Sequence, residues 1–326
     1  MKAVVCEGPG DESVLRIAEV PSPELESGGL RIRVAAAGVN RADLLQRQGL
    51  YPPPPGASSI LGVECAGEVI EIGGGVEGWA LGDRAMALLS GGGYAEEVVV
   101  PAGCALRVPD RLGWEESAAV PEVFLTVFLN LFELAGFDRG QTALVHGGGS
   151  GIGTAAIQLV KAAGGEIVVT AGSERKCQRC RELGADLTVN YRSGDFVAEA
   201  RGATGGRGVD VVLDSIGAAY LERNLSALRT GGCLILIGLM GGARAELNLA
   251  SLLTRRLRVI GSTLRARSTE EKTELACAFS RRFGDALANG RVRPVVDRVL
   301  PLERVAEAHR VMQASRHFGK IVLQIR

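Results

Sequence analysis

The rhythm of apolar and polar positions changes about a third of the way along this 326-residue chain. Up to about residue 110, short apolar runs at 3–6, 15–20, 30–37, 59–72, 84–89 and 94–100 are cut apart by glycine and proline clusters, notably 52–56 and 91–93. Runs of that length between turn residues predict strands. Helical spacing begins in the amphipathic stretch 121–134. From Thr142 the pattern alternates, with strands expected at 142–146, 167–170, 187–190, 209–214, 233–238 and 258–262 and helical stretches between them. That alternation is the layout of an α/β, doubly wound parallel sheet. Helices are expected again at 269–289 and 302–315, and 320–325 closes as a strand. An α/β sheet following a β-rich domain puts the expected ligand in a cleft between them, at the C-terminal strand ends.

The segment 142–176, TALVHGGGSGIGTAAIQLVKAAGGEIVVTAGSERK, carries the most chemistry. It runs strand, glycine-rich turn, helix, strand. In such a unit the first turn directs free N–H groups and the positive end of a helix dipole toward a pyrophosphate. In the G-x-G-x-x-G register Gly148 and Gly153 fit, but Ser150 holds the middle place. One step on, Gly151-x-Gly153-x-x-Ala156 fits the form ending in alanine. Ile152, Ala156, Leu159, Val160 and Ala163 recur behind it at helical spacing. A dinucleotide is therefore expected, and a P-loop is not, because no lysine stands between Gly153 and Thr154.

The second strand runs into Ala171-Gly172-Ser173 with no acid at its tip, and Arg175 and Lys176 follow at once. An open turn flanked by cations suits a ribose 2′-phosphate, so NADPH is expected over NADH. Arg175 reads equally well as a solvated helix face, and Glu174 is a rival acceptor for a ribose hydroxyl. Lys176 says more, because the chain has only five lysines. Asp214-Ser215-Ile216-Gly217 ends the fourth strand where a cofactor would pass, which makes Ile216 a candidate main-chain contact.

Composition narrows the classes. With 46% apolar residues the chain can bury a large core in two domains. Basic and acidic residues balance at 37 each, which argues against nucleic acid as a partner. No apolar run is expected to reach the ~18 residues that span a bilayer, and the N-terminus reads as a strand, so a cytoplasmic protein with no membrane partner is expected. Seven scattered cysteines do not suggest a disulfide framework. Cys177-x-x-Cys180 reads as a helix surface rather than a redox or zinc pair. His146 ends its strand and reads as a structural hydrogen bond. His309 and His317 lie on polar helical sequence and read as surface residues.

These motifs resemble the quinone oxidoreductase (zeta-crystallin-like) branch of the medium-chain dehydrogenase/reductase superfamily along the whole chain. Its signature around the turn appears as Gly151-Ile152-Gly153, Gln158 and Lys161. The run 40–56, NRADLLQRQGLYPPPPG, with 170–173 and 238–242, is similar to the tumour-suppressor-inducible subgroup. The resemblance implies a GroES-like catalytic domain over 1–120, a Rossmann NADPH-binding domain over 121–262, and a segment 263–326 returning to the first. It implies a homodimer that reduces quinones or similar conjugated carbonyls with NADPH. Enoyl or enone reduction and a non-catalytic NADPH-binding role are the alternatives. Carried over by position, Gly151, Ile152, Gly172, Ser173, Lys176 and Tyr191 contact the cofactor, Leu239, Met240 and Gly241 lie near the nicotinamide, and Gly319 with Lys320 join from the C-terminus.

Zinc-dependent relatives carry Cys at the position of Asn40 and Gly-His-Glu at Gly62-Val63-Glu64, so the resemblance implies no zinc here. Asn40 and Tyr51 are the expected catalytic donors, an amide and a phenol able to hydrogen-bond a developing oxyanion. Their bland alternatives are a strand-end bond for Asn40 and packing on the prolines for Tyr51. Asp43 reads as a cap or turn residue. A short-chain dehydrogenase is excluded because no tyrosine is followed by lysine four residues on.

Overall fold

Six parallel strands take up the apolar runs between 142 and 261 in the computed structural model, which describes residues 1–326. They lie in the order Leu187–Asn190, Glu166–Ala171, Thr142–His146, Val209–Asp214, Leu228–Leu236, Arg258–Gly261. Parallel neighbours need crossover connections, and the helices Gly151–Ala162, Glu174–Glu182, Phe196–Ala203, Leu221–Ala227 and Leu249–Arg255 supply them. Thr142–His146 is buried at every residue, so apolar residues fill its centre, Ala143, Leu144 and Val145, without alternation. Chain order reverses between Thr142–His146 and Val209–Asp214, the switch point where open sheets take ligands.

The β-rich part forms a seven-stranded mixed sheet around Gly29–Val39, which pairs antiparallel with Glu64–Ile72, Glu97–Pro101 and Lys320–Gln324. Val296–Pro301 adds in parallel to Lys320–Gln324 at one edge, and Arg84–Leu88 and Ala105–Arg107 extend the other. Alternate residues of the central strand, Leu30, Ile32 and Val34, enter a core shared with Val69, Ala85, Leu300 and Leu323. The chain divides into two compact units, Met1–Leu125 with Leu264–Arg326, and Thr126–Thr263. The helix Pro121–Val127 begins in the first unit, where the Glu122 N–H donates to Glu64 (2.8 Å) and Phe124 packs edge-on against Phe279.

Several expectations need correction. The strand expected at 59–72 starts only at Glu64, because Gly62 takes a φ of +100° and gives its N–H to the Asp43 carboxylate. Ala105–Arg107 and Val296–Pro301 are strands that the apolar pattern does not predict, the first being short and the second interrupted by charge. The stretch Trp114–Leu134 is long and apolar enough to cross a membrane by length and composition, contrary to expectation, and 83% of its apolar window is buried inside the protein.

Candidate active site

Within the unit Thr126–Thr263, the connections leaving the C-terminal ends of the parallel strands carry the expected cofactor residues. After Thr142–His146, Ser150 caps the helix Gly151–Ala162, its Oγ accepting from the Gly153 N–H (3.0 Å). Gly153 packs directly under the turn. A Cβ there would collide with the Gly147 carbonyl and lie 2.5 Å from the Gly148 carbonyl carbon. The N–H groups of Gly151 and Ile152, on the first helical turn, have no acceptor inside the helix. Orphan donors, a helix N-terminus and a turn that excludes side chains fit a pyrophosphate.

After Glu166–Ala171, Ser173 caps the helix Glu174–Glu182 and accepts from the Lys176 N–H (3.3 Å). Glu174, the rival acceptor, pairs with Arg181 at 2.6 Å. Tyr191 is exposed and lies over Gly172, so a Cβ on that glycine would stand 2.5 Å from the phenol oxygen. After Val209–Asp214, the buried Asp214 carboxylate accepts from Ile216 N–H (2.7 Å) and Gly217 N–H (2.9 Å). Burial pushes that carboxyl up, and the two N–H bonds oppose the shift. Gly241 N–H donates to Ile216 O (2.6 Å) and Met240 N–H to Ser215 O (3.2 Å), lacing the next connection to this one. Leu239 and Met240 stay exposed.

His146 is structural, as expected. Its Nε2 donates to Asn224 Oδ1 (2.7 Å) and its Nδ1 accepts from Thr170 Oγ1 (3.0 Å), a hydroxyl that also bonds the Gly147 N–H (3.4 Å). Cys177 and Cys180 are buried rather than on the helix surface, because their face of the helix turns inward. Burial raises both thiols, Cys180 to about 12, so neither is a ready thiolate.

The unit Met1–Leu125 with Leu264–Arg326 holds two linked polar clusters. In the first, Lys320 Nζ lies 2.6 Å from Glu64 Oε1 and 2.5 Å from Asn40 Oδ1, with the side chains of Lys320 and Glu64 3% and 0% exposed. Asn40 Nδ2 donates to Glu64 Oε1 (2.9 Å) and to Gly38 O (3.3 Å). In the second, the Asp43 carboxylate accepts from Asn40 N–H (2.8 Å), Gly62 N–H (3.1 Å) and Tyr94 OH (2.9 Å). Asp43 is thus the N-terminal turn residue expected for the helix Arg41–Arg47, and burial raises its carboxyl to about 6 against those bonds. Tyr94 OH in turn meets His309 Nε2 (3.5 Å), and Arg47 Nη1 donates to His309 Nδ1 (3.2 Å).

This arrangement corrects three expectations. Asn40 spends its amide donors on Glu64 and Gly38, leaving none aimed at a substrate oxygen. Lys320 spends its ammonium on Glu64 and Asn40, so it does not fit a direct grip on the cofactor, while its neighbour Gly319 turns with φ +94° beside Val295. His309 and His317 are buried, not superficial. Tyr51 is half-buried, and its hydroxyl makes no hydrogen bond within the chain. The Asp43–Tyr94–His309–Arg47 chain is invisible in the sequence, where only the scarcity of histidine hints that each one has a fixed place.

Burial lowers His146 to about 4 and His309 to about 3 from an ordinary 6.5. The unfolded chain therefore takes up these protons first. The stability that the neutral rings contribute is full above pH 6.5 and is lost as pH falls through those values. In urea unfolding between about pH 6.5 and 4, His309→Gln should show a shallower loss of stability than the parent chain. Equal slopes would exclude the buried neutral ring as the source.

Two family models match the chain, one described as the alcohol dehydrogenase GroES-like domain over residues 26–110, the other as zinc-binding dehydrogenase over 151–280. The synaptic vesicle membrane protein VAT-1 homolog of Homo sapiens is 31% identical over 341 residues, covering 99% of this chain and 86% of that protein. A phenolphthiocerol/phthiocerol polyketide synthase of Mycobacterium tuberculosis is 31% identical over 319 residues, and the chain spans only 14% of its length. Among solved structures, Escherichia coli quinone oxidoreductase complexed with NADPH matches with a TM-score of 0.88 and 29% identity over 100% of both chains. A NAD-dependent alcohol dehydrogenase matches with a TM-score of 0.87 and 36% identity, also over 100% of both.

Proposed function

Because the chain belongs to the medium-chain dehydrogenase/reductase superfamily, in its quinone-oxidoreductase-like group, we propose that it reduces quinones or similar conjugated carbonyls with NADPH and without a metal ion. The carrying observation is the second turn of the nucleotide unit. It has no acid at its tip, Glu174 is drawn to Arg181, and Ser173 and Lys176 open the helix that follows, where a 2′-phosphate would lie. The NAD-dependent neighbour makes these residues, rather than the fold, the basis for preferring NADPH.

When bound, the cofactor supplies a hydride. The chain's part is to hold and surround it. Gly151 and Ile152 N–H groups hold the pyrophosphate, Ser173 and Lys176 the 2′-phosphate, and Tyr191 covers Gly172. Ile216 offers main chain, and Leu239, Met240 and Gly241 offer an apolar surface that excludes water. Tyr51 donates a proton to the acceptor oxygen as charge develops there. Val63 is apolar and buried, and Asn40 and Glu64 already hold a cation in Lys320, which supports a metal-free course. No three His, Cys, Asp or Glu side chains converge as a metal-ligating group.

Lys176→Ala should weaken NADPH binding by ~10- to 100-fold, the scale of a charge-assisted bond, and leave NADH nearly unchanged. Equal losses, measured by titration with both carriers, would remove Lys176 from the 2′-phosphate site. Steady-state turnover of a 1,4-quinone, an enone and an aldehyde with NADPH tests the acceptor class. Tight NADPH binding without oxidation of any of them would favour the binding-protein alternative. A homodimer belongs to the same proposal, and sedimentation tests it.

A further inference from the structure

Two buried cations in the unit Met1–Leu125 with Leu264–Arg326 bond only to neutral oxygens. Arg265 and Lys272 are each 6% exposed. Arg265 donates from Nε to Ser90 O (2.8 Å), from Nη2 to Gln46 Oε1 (2.6 Å) and from Nη1 to Tyr51 O (3.4 Å). Lys272 Nζ donates to Ser90 Oγ (2.7 Å) and Arg265 O (2.8 Å). Like charges taken from water side by side are costly, and burial lowers both pKa values. The Arg265 guanidinium also lies over the Tyr51 ring, 5.4 Å from its centroid, in reach of a cation–π contact. Tyr51 itself sits outside any helix or strand.

We propose that Arg265 is a positioning residue for Tyr51, holding its ring and its main chain while keeping a positive charge beside the phenol. The inference rests on the reading of Tyr51 as proton donor. As the Tyr51 O–H bond breaks, its proton forms the new O–H bond on the acceptor, and the phenolate is left next to Arg265. Water returns the proton after turnover. Burial raises the Tyr51 phenol above its ordinary range; of the charged groups acting on it, Arg265 opposes that shift and Glu122 of the helix Pro121–Val127 adds to it. Lys272 and Asp43 act through Arg265.

Profiles of kcat/KM against pH for Arg265→Gln, Arg265→Lys, Tyr51→Phe and the Arg265→Gln/Tyr51→Phe double variant test this. Arg265→Gln should lower kcat about tenfold with KM for NADPH unchanged, and move the alkaline limb up by about one pH unit. Arg265→Lys should keep the limb near its original position while losing part of kcat, since the charge stays and the fork is lost. In the Tyr51→Phe background, Arg265→Gln should cost nothing further. An unmoved limb, or an equal cost in both backgrounds, overturns the inference. If Arg265→Gln does not fold, an unchanged kcat in Arg265→Lys overturns it instead. Tyr51→Phe at full rate overturns the donor reading and this inference with it, whereas a slow Tyr51→Phe beside a fully active Arg265→Gln overturns the inference alone.

Discussion

Gly153→Ala should abolish measurable NADPH binding, a loss of ~100-fold or more, while the chain stays folded. The added methyl would meet the Gly147 carbonyl and the Gly148 main chain, the latter at 2.5 Å, and backbone cannot step aside as a flexible side chain can. The turn must move outward, taking the Gly151 and Ile152 N–H groups out of line with a pyrophosphate. A displacement of about 1 Å is enough for a loss of that order when several bonds share one geometry. Fluorescence titration with NADPH, beside circular dichroism and thermal melting to confirm the fold, measures it. Unchanged affinity in a folded variant would mean that the turn does not hold the cofactor.

Lys320→Met should destabilise the protein by ~3 to 5 kcal/mol, the cost of leaving a buried carboxylate without its partner. Glu64 would keep only the Asn40 amide and the Glu122 N–H against a fully buried charge. The double variant Lys320→Met/Glu64→Gln should recover much of the loss, because it removes both charges while keeping a side chain of similar shape. Urea unfolding at neutral pH measures both. A single variant within about 0.5 kcal/mol of the parent would show that the pair is solvated rather than buried.

The nucleotide turn is legible in the chain itself because its demands are local. Close backbone approach at Gly153, a serine cap at Ser150 and an apolar helix behind them are all set by neighbouring residues. The order of strands and helices after Thr142 is legible for the same reason, since periodicity reports which face of each element meets a core. The buried polar clusters are not. Lys320 meets Glu64 across 256 residues and Asn40 across 280, and His309 meets Arg47 across 262. Nothing near His309 in the chain marks it as buried, because Glu307 and Arg310 make its helix look polar. The face that carries His309 is covered only when the helix Val305–Gln313 packs against Arg41–Arg47. Local spacing thus specified the elements and the phosphate-binding bend, whereas the pairing of buried charges followed from long-range packing, because the cost of burying a charge depends on which distant partner reaches it.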